Sequence, residues 1–181
     1  MPEPRAQEAR FNRLYERHFD AVRAYAWRRA PSLADEIVAE TFLVAWRRLS
    51  DVPDDALPWL IGVARNVRAN IHRSDRRRDA LVQRLGPEST AEGDPLASVD
   101  ERDALRGALA GLSEADREVL LLTAWDDLDR GQVARALGCS RANVAVRLFR
   151  ARRRLADLLT GDEAGAANDR PLHGGVSNAG S

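Results

Sequence analysis

Between Arg130 and Arg154 the chain carries eight arginines and no acidic residue, a local charge of +8. Cations at that density suit an anionic polymer, above all the phosphates of nucleic acid. Six of them (Arg141, Arg147, Arg150, Arg152, Arg153 and Arg154) fall on one predicted helix. Val144, Leu148, Ala151 and Leu155 recur at intervals of four, three and four and claim one face of it. The arginines take the faces that remain. A shorter helix precedes it, in which Asp129 and Gln132 have the spacing of a capping box and Val133, Ala134 and Leu137 give an apolar stripe. Gly138 suits a left-handed helix C-terminus, and Ser140 can cap the next helix. Helix, short glycine-containing turn and basic helix make a helix-turn-helix, whose second helix enters a DNA major groove. A solvated basic helix in an ordinary bundle is the plainer alternative. The agreement of caps, turn and charge favours DNA.

Other chemistries find little support. The sequence has no glycine-rich phosphate loop, nucleophile motif or zinc-protease motif. His18, His72 and His173 are dispersed and form no ligand spacing with Cys139, so neither a metal nor another cofactor is expected. The single cysteine excludes an intrachain disulfide framework and fits a reducing cytoplasm; in the turn it reads as small apolar filler. No run of about 18 apolar residues and no signal-peptide pattern occurs, so neither membrane insertion nor secretion is expected. The 28 basic and 28 acidic residues cancel, which leaves their distribution as the signal. All the basic residues are arginine.

The elements that must carry the basic face are helical, and the fold expected is all-α: two small helical domains joined by a flexible linker, the second a helix-turn-helix domain. Residues 7–30 read as a helix with Phe11, Leu14, Tyr15, Phe19, Val22, Tyr25 and Ala26 inward. Pro31 closes it, and Ser32 with Asp35 has the spacing to cap a second helix. Its apolar face is Leu33, Ile37, Val38, Thr41, Ala45 and Leu49. Ser50 to Asp55 reads as a loop. A third helix, about 56–78, turns Trp59, Leu60, Val63, Ala64, Val67 and Ile71 to the core. Its polar faces hold Arg65, Asn66, Arg68, Asn70, His72 and Arg73, then Arg76, Arg77 and Arg78. The domains expected are 7–79 and 101–160, with a linker at 80–100. Residues 161–181 contain five glycines and no period, and are expected to be disordered.

With both halves in view, the chain resembles the extracytoplasmic-function group of the bacterial sigma-70 family over roughly residues 10–160. Asp35-Glu-Ile-Val-Ala-Glu-Thr-Phe-Leu-Val-Ala-Trp46 looks like sigma region 2.2. Trp59-Leu-Ile-Gly-Val-Ala-Arg-Asn66 with its arginine-rich end looks like regions 2.3 and 2.4. Leu112-Ser-Glu-Ala-Asp-Arg-Glu-Val-Leu-Leu-Leu122 looks like region 4.1. Leu137-Gly-Cys-Ser with Val144 and Arg147-Leu-Phe-Arg-Ala-Arg-Arg-Arg-Leu155 looks like region 4.2. Regions 1.1 and 3 have no counterpart. The resemblance implies a protein without catalytic activity that lends promoter specificity to RNA polymerase. Domain 2 would read and open the −10 element and domain 4 would read the −35 element. The implied partners are the polymerase core (its β′ clamp helices and β flap), promoter DNA and an anti-sigma factor.

The resemblance also distributes roles. Asp35, Glu36 and Glu40 fall where the family docks on the β′ clamp helices. Ala39 stands where the family usually has Gln, which removes one hydrogen-bonding group. Arg65, Asn66, Arg68, Asn70 and Arg73 suit single-stranded −10 DNA, since a separated strand offers phosphates and unstacked bases. Arg76 and Arg77, beside Arg78, suit duplex phosphate. The Ser50–Pro58 loop resembles the one that captures a flipped −10 base. Trp46 and Trp59 read as core residues by their spacing, with base stacking as the alternative. In the recognition helix the base-reading window runs from about Asn143 to Arg150. Asn143 suits adenine, and Arg147 or Arg150 suits guanine. Ala145 and Val146 can meet a thymine methyl but cannot donate to guanine. Arg141 and Arg153 fit phosphate, to which half or more of such contacts go. Phe149 reads equally as core or as a wedge near the DNA backbone. Two rivals stay open: an operator-binding dimeric regulator, and a module that sequesters polymerase or a sigma antagonist.

Overall fold

The structure is a computed structural model that describes residues 4–79 and 99–168. Helices α1 (Pro4–Arg29), α2 (Ala34–Arg47) and α3 (Ala56–Asp79) form the first bundle. Its core takes Val22, Tyr25 and Ala26 from α1, Ile37, Val38, Phe42 and Ala45 from α2, and Leu60, Ile61, Ala64 and Val67 from α3. Phe11, Tyr15 and Phe19, at helical spacing on α1, meet Phe42 of α2 in one aromatic cluster. Trp46 is not a core residue: it is 39% exposed and touches the cluster edge-on at Phe11, ring centroids 5.2 Å apart. Trp59 is half-buried against the core.

The start of α2 corrects one expectation. Ser32 and Asp35 make no capping box. Pro31 opens a single 3₁₀ turn through Leu33, and α2 begins at Ala34 without a side-chain cap. The proline ring fixes φ and removes a donor, which suits the first position of such a turn. Asp35 and Glu36 in the first turn of α2 complement its positive dipole end instead. Between α2 and α3, Leu49 and Val52 are buried. Arg10 Nη2 donates to the Val52 carbonyl at 2.9 Å, which pins this segment to α1.

The second bundle comprises α4 (Val99–Ala110), α5 (Glu114–Ala124), α6 (Arg130–Leu137) and α7 (Arg141–Asn168). Val99 and Asp100, expected in the linker, already belong to α4; residues 80–98 lie outside the described ones. Ser113 caps α5 by accepting from the Asp116 amide at 3.2 Å. Arg117 closes the end of α4, donating to the Leu109, Ala110 and Leu112 carbonyls. Asp129 accepts from the Gly131 and Gln132 amides, and Gln132 Oε1 accepts from the Asp129 amide, so the capping box is complete. Ser140 Oγ accepts from the Asn143 amide at 3.1 Å and starts α7. Helix α7 continues to Asn168, so the stretch expected to be disordered from Gly161 is helical for its first part. Its alanines and Glu163 propagate a helix already nucleated. Residues 169–181 lie outside the described ones.

Gly138 sets the angle between α6 and α7. Its φ of +63° is left-handed, and a Cβ there would meet nothing within 4 Å. A Gly138→Ala substitution therefore carries only the backbone cost, about 1 kcal/mol. Urea denaturation followed by circular dichroism should show that loss, with Gly138→Asn losing less.

The two bundles pack against one another, α3 against α6. Gly62 makes the approach possible: a Cβ at this position would stand 3.1 Å from the Ala136 carbonyl oxygen. Buried residues of both bundles form one contiguous apolar cluster.

Candidate nucleic-acid interface

Helix α7 sorts its residues by period. Val144, Leu148 and Ala151 are buried and Leu155 packs against the core. Opposite them, Asn143, Val146, Arg150 and Arg153 follow at intervals of three, four and three and, with Phe149 three residues after Val146, form one exposed stripe. Phe149 is 68% exposed and Val146 55%, so Phe149 is not a core residue. Arg150 reaches Asp116 at 3.4 Å, an exposed pair that contributes little. Ala145 and Arg147 flank the stripe on opposite sides and are half-buried. Arg141 folds its guanidinium over Gly131, where a Cβ would stand 2.8 Å from Nη2. The Asp129 carboxylate nearby is held below its usual range. The Gln132 amide is the largest cause; desolvation opposes it, and the Gly131 amide and the charges of Arg135 and Arg141 add to the lowering.

Helix α3 carries the second basic face. Asn66, Asn70 and Arg73 are exposed, and Arg73 donates to Asn70 Oδ1. Arg65 and Arg68 are half-buried. The side chains of Arg76 and Arg77 lie outside the described ones. Arg65 and Arg68 line a cleft of about 270 Å³ together with Glu114, Ala115, Glu118, Leu137 and Arg147. The structure thus brings two residues of one basic face and one of the other into a single cleft between the bundles. Arg68 Nη2 lies 3.7 Å from Glu114 and 3.9 Å from Glu118.

Behind that cleft lies a polar cluster that the sequence reading missed. Tyr25 donates to Glu118 Oε1 at 3.0 Å. Arg29 pairs with Glu118 at 3.1 Å and with Asp126 at 2.9 Å, and stacks over the Tyr25 ring at 4.0 Å. Arg28 completes the cluster on Asp126. The side chains of Arg29, Glu118 and Asp126 are 2%, 8% and 3% exposed. Burial, then the Glu118 charge, pushes the Tyr25 hydroxyl far above its ordinary range, so it stays a donor. Burial works against the Arg29 cation, but the charges of Glu118 and Asp126 outweigh it and the guanidinium holds its proton more tightly than usual. Arg28 Nε and Arg29 Nη1 are buried without a hydrogen-bond partner. Each such group costs about 1–3 kcal/mol. The signal for the cluster was an acid, Glu118, abutting the apolar run Val119–Leu122.

On α2, Asp35, Glu36 and Ala39 are exposed and Glu40 is half-buried. Glu40 meets Arg47 only at 4.0 Å, so these carboxylates are free for a partner. Leu43 and Trp46, 40% and 39% exposed, extend the same face with apolar surface. Leu43 was missed because a single apolar residue off the inward stripe has no periodic signature.

Residues 14–78 match the family described as sigma-70 region 2, and residues 102–155 match sigma-70 region 4. The chain is 31% identical over 157 residues to the ECF RNA polymerase sigma factor SigL of Mycobacterium tuberculosis, covering 83% of this chain and 89% of that protein. It is 33% identical over 138 residues to the probable RNA polymerase sigma factor RfaY of Xanthomonas campestris, which covers 71% of this chain but 34% of that longer protein. The fold resembles that of the sigma factor RpoE from Bartonella quintana, solved with the anti-sigma factor NepR. The TM-score is 0.63 at 24% identity, over 83% of this chain and 96% of that one. Among the described residues no helix is long and apolar enough to cross a membrane.

Proposed function

Because the chain belongs to the extracytoplasmic-function group of the sigma-70 family of RNA polymerase sigma factors, we propose that its two basic helices read two promoter elements on behalf of the polymerase core. The family is one of initiation factors without catalysis of their own. Residues 7–79 act as the core-docking and −10 domain, and residues 101–160 as the −35 domain. Asp35, Glu36 and Glu40 dock on the β′ clamp helices, with Leu43 and Trp46 as the apolar centre that a stable interface needs. Arg65, Asn66, Arg68, Asn70 and Arg73 hold the −10 strand, with Arg76 and Arg77 on the duplex beside it. Asn143, Val146, Phe149 and Arg150 face the bases of the −35 element, flanked by Ala145 and Arg147, while Arg141 and Arg153 serve phosphates. The second bundle contacts the β flap, and an anti-sigma factor controls access. The protein works in the cytoplasm.

The observation that carries this reading is the pair of basic helices, one on each bundle. An operator-binding dimer needs one recognition helix per chain and a self-complementary face. Run-off transcription with bacterial core polymerase on fragmented genomic DNA tests it. Discrete new start sites that appear only with the protein are expected. Tight operator binding in the absence of core, with no new transcripts, overturns it.

A further inference from the structure

We propose that the cleft between the two bundles is a binding site for a small polyphosphate anion, held by Arg65 and Arg68 of α3 and Arg147 of α7. The three arginines line one cleft of about 270 Å³ with Glu114, Ala115, Glu118 and Leu137. Arg65 and Arg147 are half-buried and have no acidic partner among the described residues. A cation taken partly out of water without a counter-ion is costly, and an anion seated between the two removes that cost. Guanidinium forks pair with phosphate oxygens two at a time, which suits arginine to this ligand above other anions. Promoter reading does not call for this arrangement: it gives Arg65 and Arg147 to different elements, whereas here they converge.

The acids of the cleft do not cancel this charge. Glu118 is committed behind it: Oε1 accepts from Tyr25 at 3.0 Å, and Arg29 pairs with Oε2 at 3.1 Å. With Arg28, Arg29 and Asp126 it forms a buried cluster of two cations and two anions. That leaves the three arginines against Glu114. The Glu114 side chain is 89% exposed and meets Arg68 only at 3.7 Å, a contact that a bound anion can displace. Glu114 and Ala115 also open α5, so the first amides of that helix, which have no intrahelical acceptor, lie at the cleft. The lining selects the ligand class. Its apolar residues are Ala115 and Leu137, and it offers no aromatic ring on which a base could stack. The volume lies just below the roughly 300 Å³ at which pockets for drug-sized ligands begin. A chain of two or three phosphates fits this cleft, and nothing in it recognises an attached nucleoside.

Calorimetry of the full chain with inorganic triphosphate, at low salt and without magnesium, tests this. Saturable binding of one anion per chain is expected. Arg65→Ala and Arg147→Ala should each weaken it at least about tenfold, because each removes a charged hydrogen bond to the anion. Arg152→Ala takes the same charge from an exposed position of α7 and should change affinity by less than about twofold. Glu114→Gln should tighten binding about threefold or more, a gain that no loss of fold can imitate. ATP should bind within about threefold of inorganic triphosphate, since the phosphates carry the recognition. Binding of ATP without binding of inorganic triphosphate overturns the ligand class. Absence of saturable binding, an equal loss in Arg152→Ala, or full affinity in Arg65→Ala overturns the site, the last because it leaves the anion on α7 alone. None of these outcomes depends on transcription, so the site and the sigma-factor reading fail separately.

Discussion

Reversing two charges on α2, by Glu36→Arg with Glu40→Arg, is expected to abolish capture by core polymerase while leaving the fold intact. The acids lie one helical turn apart, so both meet the same partner surface. Glu36 is exposed, and Glu40 has only a distant exposed partner in Arg47. Surface substitutions of this kind usually move stability by within about 0.5 kcal/mol. Docking is another matter. Losing one well-paired interfacial charge costs about 2–5 kcal/mol, and reversal adds repulsion. Even the lower figure means roughly a thirtyfold loss for one position, and the pair should exceed a hundredfold. Pull-down of core by tagged protein reads this directly. Normal co-purification of the double variant, with an unchanged melting curve, would place the docking surface elsewhere. Ala39 sharpens the test. It sits on the exposed side between the two acids, at the position where the family resemblance implies Gln. Ala39→Gln should restore a hydrogen-bonding group and tighten binding about fivefold, on the order of 1 kcal/mol.

How much of this was legible depended on the range of the interactions. The caps of α6 and α7 were readable because each closes within three residues: Asp129 with Gln132, Ser140 with Asn143. Gly138 was readable because left-handed backbone selects glycine. The inward stripe of α7 followed from its period. Ser32 and Asp35 misled because their spacing ignores what Pro31 does to the backbone between them. The helix past Gly161 was missed because glycine content was weighed without the helix that leads into it. The polar cluster lay beyond reach: Tyr25 and Glu118 are 93 residues apart, and no local pattern ties them. Sequence reading therefore named the basic faces but could not tell that Arg68 and Arg147 would line one cleft. It also could not separate Arg147, beside the first bundle, from Arg150 on the outer stripe.

That separation makes Arg150→Ala the sharper probe of promoter choice. Arg150 shares the exposed stripe with Asn143, Val146 and Phe149, and its hold on Asp116 is an exposed contact that DNA can displace. A guanidinium paired to the edge of a guanine is worth about 1–3 kcal/mol of discrimination, or roughly 5–150-fold. Arg150→Ala should therefore lower run-off from the cognate −35 element within that range and flatten preference at one base position. Arg153→Ala, if it serves phosphate, should weaken all −35 sequences alike and reduce the salt dependence of binding by about one counterion. Equal losses on every −35 variant in both mutants would assign both arginines to the backbone. Beside Arg150, Val146 and Phe149 expose apolar surface on the same stripe. Such surface meets a thymine methyl favourably and leaves guanine without a donor. Specificity at those positions should therefore favour A·T pairs, and Val146→Arg should move it towards G·C in a start-site selection across randomised −35 elements.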